Sequence, residues 1–201
     1  MKISATVFLA YRGKVFFASI LMLLQAGTVV FAQAGSDLEN IPFKDSSSGQ
    51  EALPQIPAWQ KHAIPAKLEA GPRVVLILDD VGLSKSAVDR ISSFPPITLA
   101  LLPYADSVEI TADRLKRSGH ELMVHLPMAP KSDPKDYHYK DPGPNALLLG
   151  LSEKELDTRI NWNLSRFDNY VGVNNHMGSG LTEAVAPMLQ LMLHLKRRGL
   201  I

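Results

Sequence analysis

Two adjacent carboxylates, Asp79 and Asp80, follow the apolar run 74–78, and Gly82 comes two residues later. A short run of aliphatic residues that begins after a Gly-Pro pair predicts a fully buried strand. Charged residues at the carboxyl end of such a strand lie where open sheets and α/β barrels keep their chemistry. Because two like charges side by side repel each other, we expect the pair to share a proton, a cation or a basic partner.

Two histidines are placed to join this pair. His125 lies at the end of the apolar segment 122–126, and His176 follows the short apolar segment 170–173. If these segments are parallel strands, both imidazoles lie at the same sheet edge as the carboxylates. One aspartate and two histidines would make a site for zinc or a similar divalent ion, and the second aspartate would be left to act as a base. The alternative is that each histidine only forms a hydrogen bond at a strand end.

The other four histidines have positions that are less suited to chemistry. We predict His62, His138 and His194 to be surface residues, because they lie in a linker, in a long loop and beside basic residues of a helix. His120 directly precedes the apolar segment 122–126, where a structural role is expected.

The elements that must position these residues alternate between two patterns from residue 73 onward. The predicted strands are 74–78, 97–102, 122–126 and 170–173, and the predicted helices are 84–93, 107–118, 152–167 and 185–198. Four strand-helix repeats predict an α/β fold with a parallel sheet and right-handed crossovers. The loop 129–148 is long for a connector, and such loops are usually functional.

Four strand-helix units in about 130 residues are too few to close a (β/α) barrel, which takes about 200 residues or more. We therefore expect the domain 73–201 to be incomplete at its C-terminal side, with a small open sheet as the alternative. Phospho-receiver domains also begin with a strand that ends in two aspartates. They need a further aspartate at the end of the third strand, where this chain has His125.

Residues 1–34 are predicted to be a secretory signal peptide. Basic residues at positions 2, 12 and 14 precede the apolar stretch 15–31, and Ala32-Gln33-Ala34 supplies the small-x-small pattern, so that cleavage is expected after Ala34. The alternative is an uncleaved membrane anchor, for which an apolar stretch of about 17 residues is at the short limit. The protein is therefore expected to be exported, to the periplasm or out of the cell. Residues 35–72, rich in proline and serine, are predicted to be a flexible linker.

Charge and composition exclude some classes of partner. The signal segment holds three of the 21 basic residues and none of the 20 acidic ones, which leaves 18 basic against 20 acidic residues. Nothing in this balance predicts a nucleic-acid partner. The chain has no cysteine, so its core must hold the fold without disulfides.

Four motifs occur in order along the domain. They are Leu78-Asp79-Asp80-Val81-Gly82, Ser118-Gly119-His120-Glu121-Leu122-Met123-Val124-His125, His125-Leu126-Pro127-Met128 and Asn174-Asn175-His176-Met177-Gly178-Ser179. Together they resemble the divergent polysaccharide deacetylase family, a distant branch of the NodB-type carbohydrate esterases, over residues 73–201. The resemblance implies part of a NodB-type distorted (β/α) barrel.

The resemblance also implies a metal site and a base. By its motifs Asp79 is the general base, while Asp80 and His125 bind a divalent ion, most simply zinc. Standard members place a second histidine four residues after the first, where this chain has Ala129, and we expect His176 to replace it.

The resemblance further implies a substrate and a reaction. Asn174, Asn175 and Met128 are the implied substrate-binding residues, and the substrate is a polysaccharide or a peptidoglycan-type glycan. The reaction would remove acetyl groups from its N-acetylated sugars, and NodB-type enzymes protonate the leaving amine with a histidine that comes late in the chain. The alternative is a non-catalytic carbohydrate-binding or envelope-associated protein on the same fold.

Overall fold

The computed structural model of the chain describes residues 5–11, 14–20, 56–65, 73–131 and 141–201. Within these ranges six strands form one sheet: β1 (Ala5–Tyr11), β2 (Lys14–Ile20), β3 (Arg73–Val81), β4 (Thr98–Leu101), β5 (Glu121–Met128) and β6 (Gly172–Met177). The strand order is β2-β1-β3-β4-β5-β6. Strands β3 to β6 are parallel, and β1 pairs antiparallel with both β2 and β3.

Five α-helices accompany the sheet in the described ranges: α1 (Ala58–His62), α2 (Lys85–Ile91), α3 (Val108–Arg117), α4 (Glu153–Leu164) and α5 (Val185–Arg198). Local sequence explains their ends. Ser152 and Glu155 form a capping box that starts α4, and Gly199 ends α5 in the left-handed conformation, with φ 62°. The predicted α/β class is confirmed, because four parallel strands in a curled half-barrel alternate with helices.

The predicted N-terminal regions are described only in part. Residues 5–11 and 14–20 of the predicted signal peptide form the β1–β2 hairpin, and the rest of that segment lies outside the described residues. Of the predicted linker only 56–65 is described, and it contains α1. Signal peptide, linker and export therefore stay predictions. Among the described helices, none combines the length and apolarity that crossing a membrane requires.

The hydrophobic core lies between the parallel strands and the helices packed on them. Its largest fully buried side chains include Leu99, Leu101, Leu115, Leu122, Leu126 and Ile160. They come from β4, β5, α3 and α4, so the two inner strands of the parallel part of the sheet and their crossover helices form the most buried part of the domain. This packing fixes the carboxyl ends of the strands relative to one another.

The prediction of a fully buried first strand is wrong for half of β3. Val74, Val75 and Leu76 are 68%, 46% and 44% exposed, whereas Ile77 is 4% exposed. The exposure shows that no described element packs over the beginning of this strand. Only the end that carries the aspartates is enclosed.

Two strand boundaries and one histidine also differ from the predictions. Strand β5 continues through Pro127 to Met128, and His176 lies inside β6 rather than after it. His194, predicted at the surface, is 7% exposed, because α4 packs on α5 and Asp157 Oδ1 accepts a hydrogen bond from His194 Nε2 at 2.6 Å. His120 is fully buried, as a structural residue should be, with Nε2 3.0 Å from the Ile91 carbonyl oxygen. His138 lies outside the described residues.

Candidate metal centre

A bulge in β3 separates the two adjacent aspartates. Leu78 pairs with Leu99 and Val81 pairs with Leu101, so β3 uses one residue more than β4 over this stretch. Asp80 takes up the irregularity in the left-handed conformation, with φ 59°. Because a bulge changes the direction of the side chains at its position, the two carboxylates have different surroundings. Asp79 is buried, and the side chain of Asp80 is one-third exposed.

The turn after the bulge requires glycine. Gly82 has φ 122°, and a Cβ at this position would lie 2.8 Å from the Cβ of Ala105. Both the backbone conformation and the close approach exclude a side chain. The sequence therefore keeps the loop after β3 tight against the loop after β4.

Asp80, His125 and His176 converge on one point. Asp80 Oδ1 lies 3.2 Å from His125 Nε2 and 3.0 Å from His176 Nδ1, and the two nitrogens are 3.2 Å apart. The register explains the convergence, because β5 and β6 run in parallel beside each other and place His125 opposite Asn174, two residues before His176. The three residues form a group that could hold a metal ion.

Asn174 orients the ring of His125 and selects its tautomer. Its amide Nδ2 donates a hydrogen bond to Asp79 Oδ1 at 2.6 Å, and its Oδ1 lies 2.8 Å from His125 Nδ1. An amide oxygen can only accept, so His125 Nδ1 must donate the proton. In the neutral ring the lone pair is then on Nε2, which faces Asp80 and His176. An outer hydrogen bond of this kind is the usual way in which proteins orient a metal-binding histidine.

The residues fit a divalent cation. Among the described residues, no geometrically regular hydrogen bond reaches the buried Asp80 Oδ1, although the two imidazole nitrogens lie 3.2 Å and 3.0 Å from it. A hydrogen bond between His125 Nε2 and His176 Nδ1 would satisfy these two nitrogens but would leave Asp80 Oδ1 without a donor. One carboxylate oxygen and two imidazole nitrogens that face each other are a donor set typical of zinc sites.

Electrostatics keep the carboxylate of Asp80 charged. The imidazole of His125, followed by that of His176, holds the pKa of Asp80 well below its ordinary value, while partial burial acts in the opposite direction. Asp80 is thus available as an anionic ligand at neutral pH.

Tyr104, which sequence analysis missed, lines a cavity that lies beside this group. Burial, together with the charges of Asp80 and Asp141, raises the pKa of Tyr104, so its hydroxyl keeps its proton at neutral pH and can donate a hydrogen bond. Asp80 and His176 line the same cavity as Tyr104. The signal was available in the sequence, because Tyr104 lies two residues after the predicted strand 97–102, near the sheet edge that holds the other site residues.

The residues predicted to bind substrate have different positions. The side chain of Asn174 lies within the site, where it connects Asp79 to His125. Asn175 is exposed and donates a hydrogen bond to the Met177 carbonyl oxygen at 2.6 Å. Met128 is 3% exposed and belongs to the hydrophobic core, so the structure does not bring it to the metal group. Substrate binding by these residues stays a prediction.

Ala129, at the position where standard members have their second histidine, has a structural environment. It is buried, its amide donates to the Leu147 carbonyl oxygen, and its own carbonyl oxygen accepts from the amides of Gly180 and Leu181. The loop after β6 therefore packs against this position, while His176 of β6 lies beside His125. The replacement of the missing histidine by His176 stays a prediction.

A parallel α/β half-barrel with an Asp-His-His group at the carboxyl side of its strands defines a class of candidate metal-dependent proteins. A family model described as divergent polysaccharide deacetylase matches residues 76–201. The chain belongs to the divergent polysaccharide deacetylase family. Membership indicates a carbohydrate-related function.

Individual relatives are similar over the same region. The chain is 32% identical over 130 residues to the uncharacterized protein YibQ of Escherichia coli strain K12, covering 64% of this chain and 39% of that protein. It is 30% identical over 132 residues to an uncharacterized protein of Haemophilus influenzae, covering 65% and 45%. The chain thus spans less than half the length of these two relatives.

A solved structure shows the same fold. The crystal structure of the uncharacterized protein ATU2773 from Agrobacterium tumefaciens superposes with a TM-score of 0.65 at 26% identity, over 74% of this chain and 63% of that one. This agreement supports the assignment of the half-barrel as part of a NodB-like (β/α) barrel.

Proposed function

We propose that the chain is a metal-dependent hydrolase that removes acetyl groups from N-acetylated sugars of an envelope polysaccharide or a peptidoglycan-type glycan. The observation that carries the proposal is the convergence of Asp80, His125 and His176 beside the buried carboxylate of Asp79. Family membership supports the carbohydrate part of the proposal.

Asp80, His125 and His176 would hold the ion, for which zinc suits the donor set best. When bound, a divalent ion supplies a Lewis acid that polarises an amide carbonyl and makes water more acidic. The remaining steps depend on the protein's own side chains.

Asp79 is proposed as the general base. Asn174 holds Asp79 Oδ1, and His125 Nδ1 lies 4.0 Å from the same oxygen, so the carboxylate has a fixed position next to the group. As water adds to the amide carbon, Asp79 takes one proton from it. The C–N bond then breaks, and the acyl group leaves as a carboxylic acid that contains the oxygen of the water. The amine nitrogen gains one proton, which equals the one proton that Asp79 took from the water.

A non-catalytic carbohydrate-binding role is the second candidate. Ala129, which has no ligating atom, stands where standard members have a histidine, and this departure favours a protein that kept the fold without the reaction. The two candidates differ in what they require of Asp79, since only hydrolysis needs a base.

Zinc titration of the full chain by calorimetry tests the site. We expect binding in the micromolar range or tighter, and its loss in both His125→Ala and His176→Ala. His62→Ala is the matched control, because His62 lies on α1, apart from the group, and it should bind zinc like the wild type. A chain that circular dichroism shows to be folded but that binds no zinc would exclude the metal centre.

Hydrolysis separates the two candidates. With zinc-loaded protein and an N-acetylated glycan, release of acetate is expected from the wild type and not from Asp79→Asn, which should still bind zinc. If acetate release by Asp79→Asn equals that of the wild type, Asp79 is not the base. Zinc binding without any acetate release favours the carbohydrate-binding role.

We also propose that the protein is exported, on the basis of the signal-like pattern in residues 1–34. A fusion of these residues to a reporter that is active only outside the cytoplasm tests this proposal. Reporter activity that disappears when the basic residues at positions 2, 12 and 14 are replaced by glutamate is the expected result. An inactive reporter would contradict export.

A further inference from the structure

A cavity of about 330 Å³ opens next to the metal group. Asp80 and His176 form its polar end, and the rest is formed by the end of β3, the loop that follows, the inner face of α2 and the segment after β4. That volume lies in the range of small-molecule pockets, which begin at about 300 Å³. The cavity is therefore continuous with the candidate site and large enough for a ligand.

Apart from the metal group, the walls are mostly apolar. Leu78, Val88, Ile91 and Leu102 form much of the lining, and Val88 and Ile91 belong to the hydrophobic core. Leu83, also in the lining, is 63% exposed, which places an aliphatic side chain where the cavity meets solvent. Apolar walls offer water few hydrogen-bond partners, so an apolar group is the better occupant.

An acetyl group would use little of this space. Its methyl group is comparable in size to a water molecule, whose share of liquid volume is about 30 Å³, so it would fill on the order of a tenth of the cavity. A chain of several methylenes would fill the remainder and would cover the apolar walls. Both the volume of the cavity and its apolar lining therefore favour an aliphatic chain as the occupant.

We propose that the cavity receives the acyl chain of the substrate, and that this chain is longer than acetyl. The inference rests on the metal-dependent amide hydrolysis of the proposed function and replaces its acetyl group by a longer acyl group. The carbonyl of the scissile amide would then lie at the Asp80 and His176 end, and the aliphatic chain would run along α2 toward Leu83. The substrate class is an N-acylated amino sugar with a medium-length aliphatic acyl group.

Tyr104 supports this orientation. Its side chain lines the same cavity beside Asp80 and His176, and it contacts the loop at Gly143, where an added Cβ would lie 2.6 Å from its ring. The ring thus packs against the backbone at Gly143, and the charge of Asp80 acts on its hydroxyl. A protonated phenol near Asp80 is suited to a carbonyl oxygen, which accepts hydrogen bonds, rather than to a methylene chain.

Straight-chain hydroxamic acids are the probes for the test, because their head group binds zinc and their length can be varied. Affinity of the full-length, zinc-loaded chain is measured for the acetyl, butanoyl, hexanoyl and octanoyl compounds. We expect affinity to rise on the order of two- to fourfold per methylene until the cavity is filled. In Ala87→Leu, where a larger side chain from α2 enters the cavity, the gain with length should be lost.

A matched pair of surface variants controls for general hydrophobic binding. Leu83→Ser removes an exposed aliphatic side chain at the cavity, and Ile110→Ser removes one on α3, where Ile110 is 69% exposed and does not line the cavity. The gain with chain length should be smaller in the Leu83 variant and should equal that of the wild type in the Ile110 variant.

The possible outcomes separate the two proposals. Zinc-dependent binding of all four compounds with equal affinity overturns the acyl-chain assignment and leaves the deacetylase proposal standing. A gain with length that persists without zinc, or in Ala87→Leu, also overturns the assignment. If no compound binds although zinc does, the hydrolase proposal itself is contradicted, and the acyl-chain assignment with it.

Discussion

The left-handed backbone at Asp80 is the residue-scale feature on which the candidate metal centre depends. A non-glycine residue with φ 59° is uncommon, and aspartate and asparagine tolerate this conformation better than other side chains. Such strain persists only where the surrounding structure enforces it, and here the β3 bulge and the tight turn at Gly82 do so.

We predict that Asp80→Asn abolishes tight zinc binding with little loss of stability. Asparagine keeps the left-handed conformation but removes the negative charge that the ion requires. Calorimetric zinc titration and urea unfolding measure the two effects separately. Asp80→Val is the contrasting variant, because a β-branched residue is disfavoured at this φ, and it should lower both. Wild-type zinc affinity in Asp80→Asn would contradict a ligand role for this carboxylate.

Asn174 is predicted to act through its neighbours. Asn174→Ala removes the hydrogen bonds to Asp79 and His125 and should weaken zinc binding by about 10–100-fold, the usual effect of losing an outer hydrogen bond to a ligand. Asn175→Ala is the matched control, since its amide contacts only the Met177 carbonyl oxygen among the hydrogen bonds of the described residues. Equal zinc affinities in the two variants would show that Asn174 does not position the ligand.

Residue types and strand-end positions were enough to predict that Asp80, His125 and His176 converge. The internal role of Asn174 could not be predicted, because it depends on the register of β5 and β6, which places Asn174 beside His125. The burial of Met128 at the end of β5 was missed for the same reason, whereas Tyr104 was overlooked although it lies close to the end of a predicted strand. Which face a side chain takes near the end of a strand depends on bulges and pairing that the sequence does not display.

At the scale of elements, the helices and strands were predictable where local signals are strong. The helix α5 spans the residues predicted for it, and α4 begins at the predicted capping box. The continuation of β5 through Pro127 was not predicted. Proline has no amide hydrogen to donate to a neighbouring strand. This costs no hydrogen bond to β4, because the pairing of β4 with β5 ends at Leu101 and Val124, before Pro127.

The capping box of α4 gives an element-scale prediction. Ser152→Ala removes the hydroxyl that accepts from the Glu155 amide at 3.3 Å and donates to the Glu155 carboxylate at 2.6 Å. The free energy of unfolding, measured by urea titration, should fall by about 1 kcal/mol. The control is Ser118→Ala, which removes a serine hydroxyl at the C-terminal end of α3. It should lower the free energy of unfolding by less. Equal losses would mean that the cap contributes nothing specific.

At the scale of the whole molecule, the metal group connects strands that are distant in the sequence. Its members come from β3, β5 and β6, so an ion bound there would hold three strands of the sheet together. Anything that binds only the folded state stabilises that state in proportion to the logarithm of its concentration.

Zinc is therefore predicted to raise the melting temperature of the full chain. At a free zinc concentration one hundred times the dissociation constant, the gain is about 2.7 kcal/mol, which corresponds to roughly 5–10 °C for a domain of this size. Differential scanning calorimetry with and without zinc measures the shift. Asp80→Asn should show no such shift, and an equal shift in both proteins would place the stabilising zinc elsewhere.

The bulge at Asp80 also restricts which sequences can carry this site. Glycine, asparagine and aspartate are the residues that adopt its backbone conformation with little strain, and of these only aspartate supplies an anionic oxygen. Glutamate, the usual conservative replacement for aspartate, would retain the charge but would have to adopt an unfavourable φ. Aspartate is therefore the carboxylate that suits both the backbone and the ion at position 80, and its exchange for glutamate would strain the backbone.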